Sequence, residues 1–198
     1  TAVGHALAFK KLGRDDIAVS FFGDGAANQG AFHESLNLAA LWKLGVVFVC
    51  EDNAWAISVP KDKSTAIANN SDRAAAYGIP GVLIPDNDPV AIWEAAGEAV
   101  ARARRGGGPS LIEIKTDRLF GHFEGDPQLY RSKQEFALIK ERDALRVYER
   151  RLIDTGVMTT QDAQATWDRA RAEVDEATEF ARSSPYPEPA SALLHVFA

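Results

Sequence analysis

The chain has 198 residues, of which 46% are hydrophobic and 25% charged, and its net charge is -6. Such a composition is typical of a globular domain that can bury a core of its own, and the acidic balance argues against a nucleic-acid surface. No apolar run reaches the roughly 18 residues of a membrane span. The sequence has no signal peptide, so we expect a protein of the cytoplasm or, after processing, of an organelle matrix. Because it opens without methionine inside a helical pattern that ends at Gly13, we expect a fragment of a longer chain.

Four apolar runs of strand length, at residues 17–22, 46–50, 81–84 and 110–115, alternate with helical patterns. Continuous apolar runs are typical of parallel strands that are buried on both faces. A helix over residues 29–44 ends at Gly45, and Asp88-Pro89 begins another that ends at Gly106. The alternation predicts an α/β fold: an open, mostly parallel sheet with helices on both faces.

Two long polar loops, residues 54–70 and 116–132, interrupt this pattern, and only helical patterns follow. We therefore divide the chain into an α/β domain, residues 1–132, and a helical C-terminal extension, residues 133–198. In that extension Thr159 and Asp162 have the spacing of a helix cap. Small and apolar residues from Ala163 to Ala181 then form one stripe, which predicts packing on the sheet or on a partner subunit.

Two polar clusters follow the first two predicted strands, at Asp24 in a Gly-Asp-Gly turn and at Asn53. Ligands of open parallel sheets bind beyond the carboxyl ends of the strands, so the two side chains share a crevice if their strands are neighbours. Carboxylate and amide oxygens suit Mg²⁺, which takes phosphate oxygens as its other ligands. The backbone N–H groups that follow Asp24 suit a phosphate. These features predict a site for a magnesium-bound diphosphate; the alternative is a plain turn in which Asp24 caps the next helix.

Three motifs then carry a resemblance: GDGAANQG at residues 23–30, AALWKL at residues 39–44 and EDN at residues 51–53. The first and last are similar to the signature of the thiamine-diphosphate enzymes. Together the three resemble the alpha subunit of the first component of 2-oxoacid dehydrogenase complexes, and the similarity covers nearly the whole chain. The sequence GHFEGD at residues 121–126 looks most like the acetoin dehydrogenase branch.

The resemblance implies a role for each matching residue. Asp24 and Asn53 would bind Mg²⁺ through side-chain oxygens and Trp55 through its main-chain carbonyl, whereas Gly25 and Ala26 would contact the diphosphate. These assignments make thiamine diphosphate and Mg²⁺ the expected cofactors.

Three more residues are implied at the other end of the cofactor. Ile57 stands where the family places a bulky apolar residue under the bent cofactor, and Arg118 and His122 would lie near the diphosphate and the reacting acyl group. His122 is the expected catalytic residue, since a loop histidine can shuttle a proton near neutral pH. Phe123 replaces the serine that mitochondrial relatives phosphorylate after this histidine, so that switch should be absent. His5, His33 and His195 are interpreted as structural or surface residues.

The implied reaction is thiamine-diphosphate-dependent cleavage of acetoin or decarboxylation of a 2-oxo acid, with transfer of the acyl group to a lipoyl group. Pyruvate and branched-chain 2-oxo acids remain alternative substrates. The resemblance also implies two partners: a beta subunit in an alpha2beta2 heterotetramer, which supplies the glutamate that activates the cofactor, and a lipoyl-bearing acyltransferase component.

Two other interpretations remain open from the sequence. A phosphatase of the haloacid dehalogenase type also holds magnesium with a Gly-Asp-Gly turn, and Asp86 would be its nucleophile, although the strand order is wrong for that family. The chain could also be a structural or regulatory subunit with an inactive site, which the presence of both Asp24 and Asn53 argues against.

Overall fold

The structure, a computed structural model, describes residues 1–194, so His195 lies outside the described residues. The described chain divides into two compact units, Thr1–Tyr148 and a second that begins at Glu149; the predicted boundary at residue 132 stays a prediction. The seven α-helices of the described residues are α1 (Ala2–Lys11), α2 (Gly30–Leu41), α3 (Lys61–Ser64), α4 (Pro89–Arg104), α5 (Lys133–Glu141), α6 (Ala144–Asp154) and α7 (Thr160–Ser183). Three 3-10 segments span Ala26–Asn28, Asn70–Tyr77 and Pro189–Leu193.

The first unit is built on a four-stranded parallel sheet. Its strands are β1 (Ala18–Gly23), β2 (Val46–Asp52), β5 (Gly81–Ile84) and β6 (Ser110–Lys115), in the spatial order β1-β2-β6-β5. A two-stranded antiparallel ribbon, β3 (Trp55–Ala56) and β4 (Val59–Pro60), lies in the segment after β2. This arrangement confirms the predicted α/β fold with its mostly parallel sheet.

Both faces of this sheet are covered by helices. Val46 and Phe48 of β2 belong to a buried cluster with Leu36 of α2 on one face, whereas Val47 and Val49 pack with Ala99 of α4 on the other. Alternate residues of β2 thus enter opposite cores, which explains why its sequence is a continuous apolar run. Asn53 lies just beyond the end of this central strand.

The prediction that β1 is buried on both faces is wrong. Val19 is 45% exposed and Phe21 67% exposed. The reason is that β1 is an edge strand of the described sheet, with β2 as its only strand neighbour there. An apolar run alone does not distinguish a central strand from an edge strand.

The segment predicted as a loop over residues 54–70 contains β3, β4 and α3 and is thus more ordered than the sequence suggested. The predicted short helix after it is a 3-10 segment, Asn70–Tyr77, which ends at Gly78 with φ +63°. Farther on, the Asp88 carboxylate accepts a hydrogen bond from the Val90 N–H at 2.9 Å and caps α4 as predicted.

The second unit contains the predicted capping box at the start of α7. The Asp162 N–H donates to the Thr159 hydroxyl oxygen at 3.1 Å, and the Thr159 N–H donates to the Asp162 carboxylate at 3.1 Å. Of the predicted stripe, Ala163 is buried, whereas Val174 is 64% exposed. Packing of this stripe on the sheet or on a partner subunit stays a prediction. Across residues 1–194 we find no helix with both the length and the apolar character to cross a bilayer.

Candidate functional site

The two predicted metal ligands lie at the ends of neighbouring strands. β1 and β2 pair in parallel with Gly23 opposite Glu51, so Asp24 and Asn53 each follow the last residues of their strands at the same edge of the sheet. The neighbour relation on which the predicted metal site depends is therefore confirmed. The side chains at these two strand ends determine what the site can bind.

Asp24 is fully buried, and neither of its carboxylate oxygens has a hydrogen-bond partner among the described residues. Burial raises the pKa of Asp24, and the nearby Asp52 carboxylate adds to this effect. The backbone N–H groups of Asp24 and Asn53 lie near the carboxylate without meeting hydrogen-bond geometry, and together with the Lys61 ammonium they only partly offset the rise. Buried charges are normally paired or bound to a metal, so a divalent cation fits this carboxylate better than the plain helix-cap alternative does.

The turn after Asp24 is fixed by a close approach of backbone. A Cβ added to Gly25 would lie 2.5 Å from the Ala56 Cβ, so only glycine fits there without a shift of β3. The Ala27 N–H donates to the Asp24 carbonyl at 3.3 Å, so one of the backbone N–H groups that follow Asp24 is already engaged. The predicted diphosphate contacts therefore fall to Gly25 and Ala26.

The segment after β2 carries Asn53, Trp55 and Ile57. The Asn53 Oδ1 accepts a hydrogen bond from the Trp55 N–H at 3.1 Å and keeps a second lone pair for a cation. Ile57 has φ +58°, a strained conformation for a β-branched residue, and its side chain is 56% exposed. Strain of this kind persists where the surroundings impose it and clusters at ligand sites.

Arg118 links this segment to the second polar loop. Its guanidinium donates to the Ile57 carbonyl at 2.9 Å and to the Tyr130 hydroxyl at 2.7 Å. The Tyr130 hydroxyl in turn donates to the Asp126 carboxylate at 2.6 Å. A continuous chain of contacts therefore joins the turn at Ile57 to the loop of residues 116–132.

His122 lies on that loop with its side chain exposed. Its backbone N–H donates to Asp126 Oδ2 at 2.9 Å, and hydrogen bonds from Tyr130 and from this amide lower the pKa of Asp126. Asp126 also accepts from the Gln128 N–H at 2.9 Å. Asp126 thus holds the backbone of His122, while the His122 side chain is exposed to solvent.

Sequence reasoning missed the residues that support Trp55. The Trp55 indole N–H donates to Glu135 Oε1 at 3.0 Å, and the buried Arg131 donates to the same oxygen at 3.1 Å. The Arg131 guanidinium lies over the Trp55 ring, 5.8 Å from its centroid, and donates to the Arg118 carbonyl at 2.7 Å. One buried arginine therefore ties α5, Trp55 and the Arg118 loop together.

A buried network of four charged residues was also missed. It consists of Asp52, Lys61, Glu113 and Lys115, and both carboxylates are almost fully excluded from solvent. Burial on its own would raise the pKa of Glu113, but hydrogen bonds from the network and from two backbone N–H groups lower it well below its usual range. The signal in the sequence was Glu113 itself, an acid inside the apolar strand β6.

Two other residues carry no chemistry at this site. Cys50, the single cysteine of the chain, is buried, and burial raises the pKa of its thiol to about 12, which is typical of a structural thiol. Asp86 is exposed and follows β5, at the opposite edge of the sheet from β1. Within residues 1–194 no three or more His, Cys, Asp or Glu side chains are grouped so that they could hold a metal.

Comparison with known proteins shows the family of this chain. The sequence model of the family described as 'Dehydrogenase E1 component' matches residues 1–190. The chain belongs to the dehydrogenase E1 component family. Membership overturns the phosphatase alternative. The sheet order agrees, because Asp86 follows β5, at the opposite edge of the sheet from the strand that precedes the Gly-Asp-Gly turn.

Three relatives of this E1 chain are all alpha subunits. The chain is 44% identical over 195 residues to the acetoin:2,6-dichlorophenolindophenol oxidoreductase subunit of Cupriavidus necator, covering 98% of this chain and 59% of that one. It is 46% identical over 198 residues to the 2-oxoisovalerate dehydrogenase subunit of Bacillus subtilis, covering 100% and 60%. To the pyruvate dehydrogenase E1 subunit of Porphyra purpurea it is 36% identical over 189 residues, covering 96% and 55%. The chain therefore spans about three-fifths of the length of the relatives it matches.

Proposed function

We propose that this E1 chain is part of the alpha subunit of a thiamine-diphosphate-dependent dehydrogenase that acts on acetoin or a 2-oxo acid and passes the acyl group to a lipoyl group. The proposal rests on the environment of Asp24. Its carboxylate is fully buried and has no hydrogen-bond partner among the described residues, and Asn53 follows the end of the neighbouring strand. Family membership and the alpha-subunit relatives support it.

In this proposal Mg²⁺ is held by the Asp24 carboxylate, the Asn53 side-chain oxygen and the Trp55 main-chain carbonyl. The backbone N–H groups of Gly25 and Ala26 bind the diphosphate, because amides at a helical turn favour an anion. When bound, thiamine diphosphate supplies the carbon nucleophile and the electron sink. The protein positions the cofactor and provides its electrostatic environment. The unpartnered Asp24 carboxylate makes the largest contribution to both.

The remaining predicted residues act at the reacting end. Ile57, held by the Arg118 hydrogen bond to its carbonyl, supports the cofactor from below. Arg118 provides positive charge toward the diphosphate. His122 gives or takes a proton through a ring nitrogen near the acyl group and moves aside when the lipoyl group enters.

The proposed assembly contains a beta subunit, in an alpha2beta2 arrangement, and a lipoyl-bearing acyltransferase component. The beta subunit supplies the glutamate that activates the cofactor, for which the resemblance assigns no residue in this chain. The complete alpha–beta component is therefore the catalytic unit. Because both Asp24 and Asn53 are present in this chain, a structural or regulatory subunit with an inactive site is the weaker interpretation.

Calorimetric titration of thiamine diphosphate with Mg²⁺ into the alpha–beta component tests the site. Asp24→Ala should abolish measurable binding, because it removes the only charged group among the three proposed protein ligands of the metal. Asp86→Ala is the matched control, since Asp86 follows another strand of the same sheet but is exposed, and it should bind as the wild type does. Equal affinity in the wild type and Asp24→Ala would refute the site.

The relatives do not distinguish between the possible substrates. The chain has similar sequence identity to a relative named for acetoin and to one named for 2-oxoisovalerate. GHFEGD at residues 121–126 favours acetoin through its resemblance to that branch. Turnover of acetoin, pyruvate and branched 2-oxo acids with an artificial electron acceptor separates these alternatives. Acetoin is expected to give the highest kcat/KM, and a preference for a branched 2-oxo acid would favour the second relative.

A further inference from the structure

The buried network of Asp52, Lys61, Glu113 and Lys115 lies directly beneath the segment that carries the candidate metal ligands. Cys50 pairs with Glu113 and Asp52 with Lys115 between β2 and β6, so the strand members of the network share one sheet face. Lys61 reaches them from α3, after the β3–β4 ribbon. Its side chain is 11% exposed, whereas those of Asp52 and Glu113 are 1% and 0% exposed.

All four carboxylate oxygens of this network have partners. Asp52 Oδ2 accepts from Lys61 and, at 2.5 Å, from Lys115. Glu113 Oε1 accepts from Lys61 at 3.3 Å and from Lys115 at 2.8 Å. The two remaining oxygens bind backbone amides: Asp52 Oδ1 accepts from the Ala54 N–H at 3.0 Å and Glu113 Oε2 from the Ser71 N–H at 2.7 Å.

The two lysines also bind the chain between those amides. Lys61 donates to the Ala68 carbonyl at 2.8 Å and Lys115 donates to it at 3.1 Å. The network thus clamps residues 54, 68 and 71 onto the ends of β2 and β6. The segment between these clamps carries Trp55 and Ile57, and Asn53 lies immediately before it.

Asp24 presents the opposite case within the same region. It is equally buried, but neither of its oxygens has a partner among the described residues. Asp52 lies one residue before Asn53 and is neutralised by two lysines. One buried carboxylate is therefore satisfied by the protein, and the other is left for a cation.

We propose that Lys61 is a positioning residue for the metal site: by neutralising Asp52 and clamping residues 54–71 to the strand ends, it holds Asn53 and Trp55 toward Asp24. The inference rests on the proposed function for the identity of the ligand, but the clamp itself is independent of it. Removing Lys61 leaves a buried carboxylate with one cation fewer, so the segment opens and the cation site loses its geometry.

The test compares Lys61→Met with Lys63→Met in the full chain. Both lysines belong to α3, but Lys63 is 72% exposed and its ion pair is with the exposed Asp62 at 3.7 Å. Hydrogen exchange without cofactor reports on the clamp at the Ala54 and Ser71 amides. Lys61→Met should exchange at least about tenfold faster at both amides, and Lys63→Met as the wild type does. Equal exchange in the two variants would overturn the proposal.

Rescue separates the charge of Lys61 from its bulk. In the alpha–beta component, Lys61→Met should weaken Mg²⁺-dependent thiamine diphosphate binding about tenfold or more, and adding Asp52→Asn should recover most of that loss. A double variant no better than Lys61→Met overturns the proposal. If Lys61→Met does not fold, recovery of folding by Asp52→Asn supports it and equal failure overturns it. Absence of binding in the wild type would refute the proposed function while the exchange test still stands.

Discussion

Gly25 and Ala56 approach so closely that a Cβ on Gly25 would lie 2.5 Å from the Ala56 Cβ and 3.2 Å from the Ala56 Cα. This contact joins the turn that follows β1 to the ribbon that follows β2. It therefore sets the relation between the two halves of the proposed metal site. Glycine is required at position 25 because the backbone there lies so close to Ala56, and not because its φ is positive.

Gly25→Ala should push β3 away from Asp24 and weaken Mg²⁺-dependent thiamine diphosphate binding, with a loss of about 1–3 kcal/mol in stability from overpacking. Gly97→Ala is the control. Nothing lies within 4 Å of a Cβ at Gly97, in the middle of α4, so it should stabilise the chain by about 0.5–1 kcal/mol. Thermal unfolding and calorimetric titration measure both effects, and unchanged affinity in Gly25→Ala would show that the contact does not shape the site.

Asp24→Asn should stabilise the ligand-free protein while it abolishes metal-dependent binding. Burial raises the folded-state pKa of Asp24, so the ionised carboxylate costs stability above that pKa, and the cost is relieved as pH falls through it. We expect Tm at neutral pH to rise by about 2–4 °C, the shift that about 1 kcal/mol produces at this chain length. The gain should shrink on acidification. A lower Tm for Asp24→Asn at neutral pH would mean that Asp24 is paired within the protein.

Glu113→Gln should destabilise the protein by about 3 kcal/mol at pH 7, the lower end for breaking a buried pair, because Lys115 partly reaches solvent. Interactions with the network lower the folded-state pKa of Glu113 below its ordinary value of 4.5. Its stabilising contribution is therefore complete above pH 4.5 and is lost as pH falls toward the folded pKa. Urea unfolding of variant and wild type from pH 7 to pH 3 should show the difference narrowing only in acid.

Glu51→Gln is the control for this experiment, because Glu51 also lies near the end of β2 but is exposed. It should differ from the wild type by less than about 0.5 kcal/mol at every pH. A similar loss of stability in Glu113→Gln and Glu51→Gln would show that the buried network contributes no more to stability than an exposed carboxylate does.

Tyr130→Phe should lower kcat while leaving cofactor affinity nearly unchanged. The variant loses the hydrogen bond to Asp126 and the one from Arg118, so the backbone that carries His122 is held less firmly. A decrease of at least about fivefold is expected, since about 1 kcal/mol is the net contribution of even one of these two hydrogen bonds. Tyr186→Phe, at a side chain 97% exposed, should leave kcat unchanged. An unaltered kcat in Tyr130→Phe would show that loop order does not limit turnover.

The sheet, and the placement of Asp24 and Asn53 beyond the ends of two neighbouring strands, could be predicted from the sequence because local signals carry them. Continuous apolar runs marked β2 and β6, and the Asp24 turn and Asn53 marked the strand ends. The exposed face of β1 did not follow, because the number of strand neighbours is a long-range property. An edge strand and a central strand have the same local pattern.

The supporting contacts could not be predicted for the same reason. Lys61 and Glu113 are 52 residues apart in the chain, and Trp55 and Glu135 are 80 apart. The positive φ of Ile57 contradicts the preference of β-branched residues. Only the isolated Glu113 within an apolar strand signalled that a buried partner had to exist.

The most direct test is a crystal structure of the alpha–beta component with Mg²⁺ and thiamine diphosphate. The account predicts the cation at about 2.1 Å from an Asp24 carboxylate oxygen, the Asn53 side-chain oxygen and the Trp55 carbonyl oxygen, with diphosphate oxygens among its remaining ligands. The Asp52 carboxylate should stay bound to Lys61 and Lys115. A cation that is coordinated by Asp52, or an Asp24 carboxylate that is left without metal contact, would contradict the account.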